Sequence, residues 1–249
     1  MAGHSKWHNI QHRKGRQDAK KGKIFTKVTK EIFLAARTGG GDPGTNNRLR
    51  SAIESAKAVN LPKDKIDTAI KKGTGELAAE NIDEVFYEGY GPGGAAILVE
   101  AATDNKNRTV AEIRHMLSKS GGSMGESGCV AWMFDNKGVL SFDKQNYSDE
   151  DLLEAGLDAG VEDIDDDGEV WQVTCAPEDF VQVKKAYDEA GMQYQDAQVT
   201  MIPKNTVDVD VETGRKLLKL YENLDDHEDV QDVYSNFELP DELLRELEQ

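Results

Sequence analysis

Apolar residues begin to recur at helical spacing only from Phe25. Phe25, Val28, Ile32 and Ala36 fall on one face, and Gly39-Gly40-Gly41 stops the run. Asn46 or Asn47 can cap a second helix carrying Leu49, Ile53, Ala56 and Val59 on adjacent faces. A third begins near Pro62, carries Ile66, Ala69 and Ile70, and ends at Gly73. Three short amphipathic helices with brief connections predict a helical bundle.

Residues 74–84 read as a linker, after which the period changes. Ala95–Ala101 reads as a strand entered from the turn Gly89–Gly94. Asn107 can cap a helix lined by Val110, Ile113 and Leu117 and closed by Gly121-Gly122. Cys129–Phe134 is apolar on both faces and reads as a central strand. Val139–Phe142 then opens a new unit. A helix over Asp149–Asp158 follows, then a hairpin of Val161–Ile164 and Val170–Val173 around Asp165–Gly168. A helix from Pro177 buries Phe180, Val183, Tyr187 and Ala190, and Gln198–Ile202 returns as a strand. The order β-α-β-β-α-β is ferredoxin-like.

After Pro203 come a helix with Leu217, Leu218, Tyr221 and Leu224, a strand Val230–Tyr234 and a short acidic helix. The unit over 85–136 lacks a second helix and a closing strand, and the tail supplies both. The expected fold is α+β and multidomain: an N-terminal three-helix bundle plus two ferredoxin-like α/β domains, one inserted in the other. The expected division is a basic arm (1–23), the bundle (24–75), a discontinuous middle domain (76–136 and 204–249) and an acidic inserted domain (137–203).

Charge sharpens this division. The 249 residues carry a net −17, yet the first 75 hold 17 Lys and Arg against 6 Asp and Glu, a net +11. The remainder holds 13 basic and 41 acidic residues, a net −28, of which 138–202 contributes −14. One end is drawn to polyanions and the other is repelled by them. In 1–23, Lys6, Arg13, Lys14, Arg16, Lys20, Lys21 and Lys23 are opposed only by Asp18. So polar a segment cannot bury enough apolar surface to order itself, and a mobile arm is expected. The candidate nucleic-acid-binding residues are Lys6, Trp7, His8, His12, Arg13, Lys14, Arg16, Lys20, Lys21, Lys23 and, on the first helix, Lys27. Clustered cations neutralise phosphates, while an indole or imidazole can stack on an unpaired base, which favours RNA over duplex DNA. For Trp7 the alternative, packing on the bundle as a staple for the arm, is favoured, since aromatic rings favour burial.

Other patterns fail their context. Gly89-Tyr90-Gly91-Pro92-Gly93-Gly94 matches a dinucleotide fingerprint, but a strand follows where a helix is needed. Asp163, Asp165 and Asp167 mimic a calcium loop, but Thr174 stands where its bidentate Glu belongs. His4, His8 and His12 recur every four residues without a completing Cys or Glu. No nucleophile is paired with a base, so no enzyme, metal or cofactor is expected. Cys129 and Cys175 lie in apolar, strand-like contexts and read as reduced, buried thiols of a cytoplasmic protein. The apolar runs are too short to span a bilayer, the first 24 residues hold no signal-peptide core, and no membrane partner is expected.

Five segments carry a resemblance: MAGHSKWHNIQHRKGRQDAKKGKIFTK from Met1, GGGDP at Gly39–Pro43, YEGYGPGG at Tyr87–Gly94, NRTVAEIRH at Asn107–His115 and VTMIPK at Val199–Lys204. The chain resembles the YebC/PmpR family from Met1 to about Tyr234. The resemblance implies three domains and a role in gene expression. Some members are described as DNA-binding transcriptional regulators, others as ribosome-associated translation factors that relieve stalling at proline-rich stretches. It also leads one to expect a bacterial-type cytosolic member, since the likeness starts at the first residue with no transit peptide before it. The favoured expectation is a non-enzymatic translation factor on ribosomal RNA and the ribosome. The alternatives are a transcriptional regulator on promoter DNA and a protein-interaction adaptor working through the acidic domain.

Overall fold

A computed structural model describes residues 21–78, 81–168 and 170–247. They form two compact units, 21–131 with 215–235 and 132–214 with 236–247.

The first unit opens with helices α1 (Lys21–Gly39), α2 (Asn47–Ala58) and α3 (Lys63–Gly73). Ile32, Ala35, Ala36, Leu49, Ala56 and Ile66 share one buried cluster, as their spacing predicts. Of the two candidate caps, Asn46 is the one used. Its Oδ1 accepts from the Leu49 amide at 3.0 Å, and its Nδ2 donates to the carbonyls of Ala35 and Gly40, both at 2.8 Å. One buried side chain thus starts α2 and ties it to the end of α1. A Cβ on Gly73 would stand 2.5 Å from the Phe33 carbonyl oxygen, so glycine there lets α3 close on α1.

The sheet of this unit has the order β3-β1-β2-β9 and is antiparallel throughout. Its strands are β1 (Asp83–Tyr90), β2 (Ala96–Thr103), β3 (Ser123–Met124) and β9 (Val230–Ser235). Helix α4 (Lys106–Lys119) lies between β2 and β3 in sequence, and α7 (Val211–Asp225) leads into β9. Phe33 and Leu34 of α1 pack with Ala102 of β2.

Three expectations for this unit are corrected. The turn at Pro92–Gly94, with Gly93 and Gly94 at positive φ, is flanked by strands on both sides. Strand β1 lies where the sequence predicts only the end of a linker at 84 and the start of a turn at Gly89, with no element assigned to 85–88. Helix α4 is capped by Asn105, whose side chain accepts from the Arg108 amide at 3.2 Å, and not by Asn107. Cys129–Met133 is not a strand; only Phe134 is, as the first residue of the strand that follows. Glu88, almost fully buried on β1, accepts from the amides of Gly128 (2.6 Å), Val130 (2.7 Å) and Ala131 (2.8 Å). Amides gathered on one carboxylate cannot also serve a strand ladder, so this stretch is a turn. Cys129 is accordingly half-buried in that turn. Burial and the nearby Glu88 push its thiol up.

In the second unit, β4 (Phe134–Asp143), α5 (Asp149–Gly156), β5 (Val161–Asp167), β6 (Val170–Cys175), α6 (Phe180–Glu189) and β7 (Asp196–Pro203) follow the expected β-α-β-β-α-β order. The sheet order β5-β6-β4-β7, all antiparallel, is that of a ferredoxin-like domain. Leu140, Phe142, Leu152, Val173, Val183 and Tyr187 form its core. Cys175 joins them, with burial pushing its thiol up to about 11. Asp163, Asp165 and Asp167 lie along β5. Short parallel strands β8 (Val207–Asp208) and β10 (Phe237–Glu238) and helix α8 (Asp241–Leu247) complete the unit. The fold is α+β, with N-terminal helices followed by antiparallel sheets.

Candidate nucleic-acid interface

Of the candidate residues, Lys6, Trp7, His8, His12, Arg13, Lys14, Arg16 and Lys20 lie outside the described residues, as does His4. Lys21 opens α1. Lys23 and Lys27 stand one turn apart on α1, and Lys30 continues the same face.

All three meet carboxylates. Lys23 Nζ lies 3.1 Å from Asp226 Oδ1 and donates to the Asp226 carbonyl at 2.6 Å. Lys27 Nζ lies 2.7 Å from Asp225 Oδ1. Lys30 Nζ donates to Asp229 Oδ1 at 3.0 Å and to the carbonyls of Ala102 and Glu228, both at 2.9 Å. The Asp229 side chain is only 3% exposed and also accepts from Arg108 Nη2 at 2.7 Å and Thr109 Oγ1 at 2.8 Å. Burial alone would raise its pKa, but Arg108, Lys30 and Thr109 outweigh burial and hold it at about 2. Asp229 thereby joins α1 to α4 and the sheet.

A groove of about 410 Å³ runs between α1 and α3, lined among others by Phe25, Thr26, Thr29, Lys65, Thr68 and Lys72. The three threonine hydroxyls donate to carbonyls four residues back, those of Gly22 (3.0 Å), Phe25 (2.6 Å) and Asp64 (2.6 Å). Lys30, which also lines the groove, is committed to Asp229. Lys65 and Lys72, two turns apart on α3, are therefore the cations this groove turns outward. Lys65 Nζ also lies 5.8 Å from the centre of the Phe25 ring.

The remaining bundle cations divide by chemistry. Each arginine is used internally. Arg37 donates to the Ile82 carbonyl. Arg48 grips Glu31 through two bonds (2.7 and 2.9 Å) and Glu84 at 2.6 Å. Arg50 donates to the carbonyls of Pro43 and Gly44, both at 3.0 Å. Lys57, Lys63, Lys65, Lys71 and Lys72 are exposed and form no ion pair with any described residue. The cations left without a hydrogen bond or ion pair to a described residue are all lysines, point charges suited to phosphate rather than planar forks suited to a base edge. The spacing of Lys65 and Lys72 was legible in the sequence. Their pairing with the Phe25 face of α1 was not.

Among the described residues, no group of three or more His, Cys, Asp and Glu is placed to hold a metal ion. No described helix is long and apolar enough to cross a membrane.

Residues 5–76 match the family model described as the TACO1/YebC protein N-terminal domain, and residues 82–237 match that of the TACO1/YebC second and third domain. A protein of Solidesulfovibrio magneticus named "Probable transcriptional regulatory protein" is 67% identical over 98% of this chain and 99% of its own. One of the same name from Maridesulfovibrio salexigens is 64% identical over the full length of both. The crystal structure of a conserved hypothetical protein from Aquifex aeolicus superposes with a TM-score of 0.80 at 46% identity, covering 91% of this chain and 94% of that one.

Proposed function

The chain belongs to the TACO1/YebC family, and we propose that it regulates gene expression as a nucleic-acid-binding factor without catalytic chemistry of its own. Its relatives named as probable transcriptional regulatory proteins support the regulatory role. For the target we favour RNA, and ribosomal RNA in particular.

One observation carries that choice. Every described bundle arginine is hydrogen-bonded within the protein, and the exposed bundle cations with neither an ion pair nor a hydrogen bond to a described residue are all lysines. Reading a promoter in the major groove rests on Arg, Asn or Gln aimed at base edges, and α3 has none of these among Lys63, Lys65, Lys71 and Lys72. Such a surface grips a phosphate backbone of suitable shape and is indifferent to sequence. In this reading the lysines of α3 anchor the bundle on folded RNA. In the same reading the basic residues that precede α1 in sequence engage the RNA near a catalytic region whose geometry they bias, as in relief of stalling at proline-rich stretches.

Cosedimentation with ribosomes at rising salt tests the reading, together with anisotropy on single-stranded RNA, a candidate promoter duplex and its scrambled counterpart. Lys65→Gln with Lys72→Gln should weaken RNA binding and reduce the log–log salt slope by about 1.4, at ~0.7 per lost contact. Preference for one duplex over its scrambled form by about a thousandfold or more would replace this reading with the transcriptional one, which the relatives' names favour.

A further inference from the structure

We infer that the Lys23–Lys27 face of α1 is a phosphate-binding surface that the free chain occupies with a substitute anion, the carboxylates of Asp226 and Asp225. The inference rests on the nucleic-acid reading above and concerns the regulation of that same site.

The three lysines of α1 meet their acids in a graded series. At the inner end, Lys30 and Asp229 have side chains 16% and 3% exposed, and the ammonium has three acceptors. That pair is built into the fold. Further out, Lys27 and Asp225 are 20% and 48% exposed, and Lys23 and Asp226 are 38% and 64% exposed. Lys27 is half-buried and makes a long 3.5 Å contact to the Gln231 carbonyl, but the carboxylates of both outer pairs stand largely in solvent, and pairs with so open an acid hold more weakly than the inner one and are screened by salt. The outer two contacts are therefore not what docks α1. They leave two cations, ~6 Å apart along the helix, exchangeable with any stronger anion. A phosphodiester chain offers its charges in series, and its release of counterions adds to the exchange.

The acidic segment does not depend on those lysines for its position. The Asp229 amide donates to His227 Nδ1 at 3.1 Å, and His227 Nε2 lies 2.7 Å from Glu112 Oε2 on α4. Asp229 itself is fixed by Arg108 and Thr109. When Lys23 and Lys27 turn to a ligand, Asp225 and Asp226 stay in place and compete for their return. The site then rejects isolated anions and yields to a polyanion long enough to engage α1 and the α3 lysines together.

The test is fluorescence anisotropy of a labelled oligouridine on the full chain across a salt series. Asp225→Asn with Asp226→Asn should bind about three- to tenfold tighter at low salt, with a salt slope steeper by up to ~1.4. Adding Lys23→Gln and Lys27→Gln should cancel that gain, while the same lysine changes alone should shift the wild-type chain little. Glu150→Gln with Glu154→Gln, exposed on α5, changes net charge equally and should leave affinity unaltered. If the wild-type chain binds and the Asp225/Asp226 variant binds no better, or the α5 variant gains as much, the inference is overturned alone. If neither the wild-type chain nor the Asp225/Asp226 variant binds, the nucleic-acid reading falls and takes the inference with it.

Discussion

Replacing Asp229 by asparagine keeps the shape of the residue and removes the charge that joins α1 to α4 and the sheet. The folded carboxyl sits at about 2 against an ordinary 3.8. That gap corresponds to ~2 kcal/mol of preference for the ionised form, at about 1.4 kcal/mol per tenfold change. The variant also leaves the Lys30 ammonium, buried against the Ala102 and Glu228 carbonyls, without its counter-charge. Breaking one side of such a pair raises the expected loss to ~2–4 kcal/mol at neutral pH. The sign of the pH dependence follows from the lowered value. The contribution is complete above the unfolded-state value near 3.8 and is lost as pH falls towards 2. Urea unfolding followed by circular dichroism should show Asp229→Asn well below the wild-type chain at pH 7, with the difference shrinking between about pH 4 and 2. Amide exchange in α1 should speed up with it. A difference that stays constant down to pH 2, or an α1 whose exchange is unaltered, would refute the reasoning.

Asn46→Asp keeps the acceptor for the Leu49 amide but loses the donor to Ala35 and Gly40, and should cost ~2–3 kcal/mol in thermal or urea melts. Glu88→Gln sets an NH₂ group against the amides of Gly128, Val130 and Ala131, and should make residues 121–131 the first site of limited proteolysis. Burial, then Asp232 on β9, with Glu84 and Glu31 adding to it, raises the Glu100 carboxyl to about 8 against the opposing hydroxyl of Tyr234. A raised carboxyl favours the folded state below the unfolded value and loses that benefit as pH rises through about 8. Glu100→Gln should therefore melt higher than the wild-type chain at pH 9 and close to it at pH 5.

The bundle and the ferredoxin-like unit were legible because each element carries its own period and its own stop. Glycines close α1 and α3, and apolar positions repeat three and four apart between them. Strand β1 was hidden by Glu84 and Glu88, residues that argue against burial when only neighbours are considered. Their compensation is distant: Arg48 lies 36 residues before Glu84, and the amides around Glu88 lie 40 to 43 residues after it. The same distance conceals the state of Lys23 and Lys27. Lys23 reads as a cation of the arm and Lys27 as one on the first helix, yet their partners stand about 200 residues further on. What the sequence could not convey was which charges already have an answer inside the protein. That accounting leaves Lys57, Lys63, Lys65, Lys71 and Lys72 as the bundle's outward set.

The pairing of β2 with β9 has a consequence for synthesis. Strand β2 is paired on one side by β1 within its own hairpin, but its other edge waits for residues 230–235. At ~5–20 residues per second, more than a hundred intervening residues take on the order of ten seconds to emerge. Through that interval Ile97, Leu98 and Val99 border an open ladder, and the ferredoxin-like sheet, whose last strand ends at Pro203, is synthesised whole before β9 appears. A nascent chain arrested before residue 230 would thus display a sticky, half-built sheet, making such truncated products natural clients for chaperones and proteases.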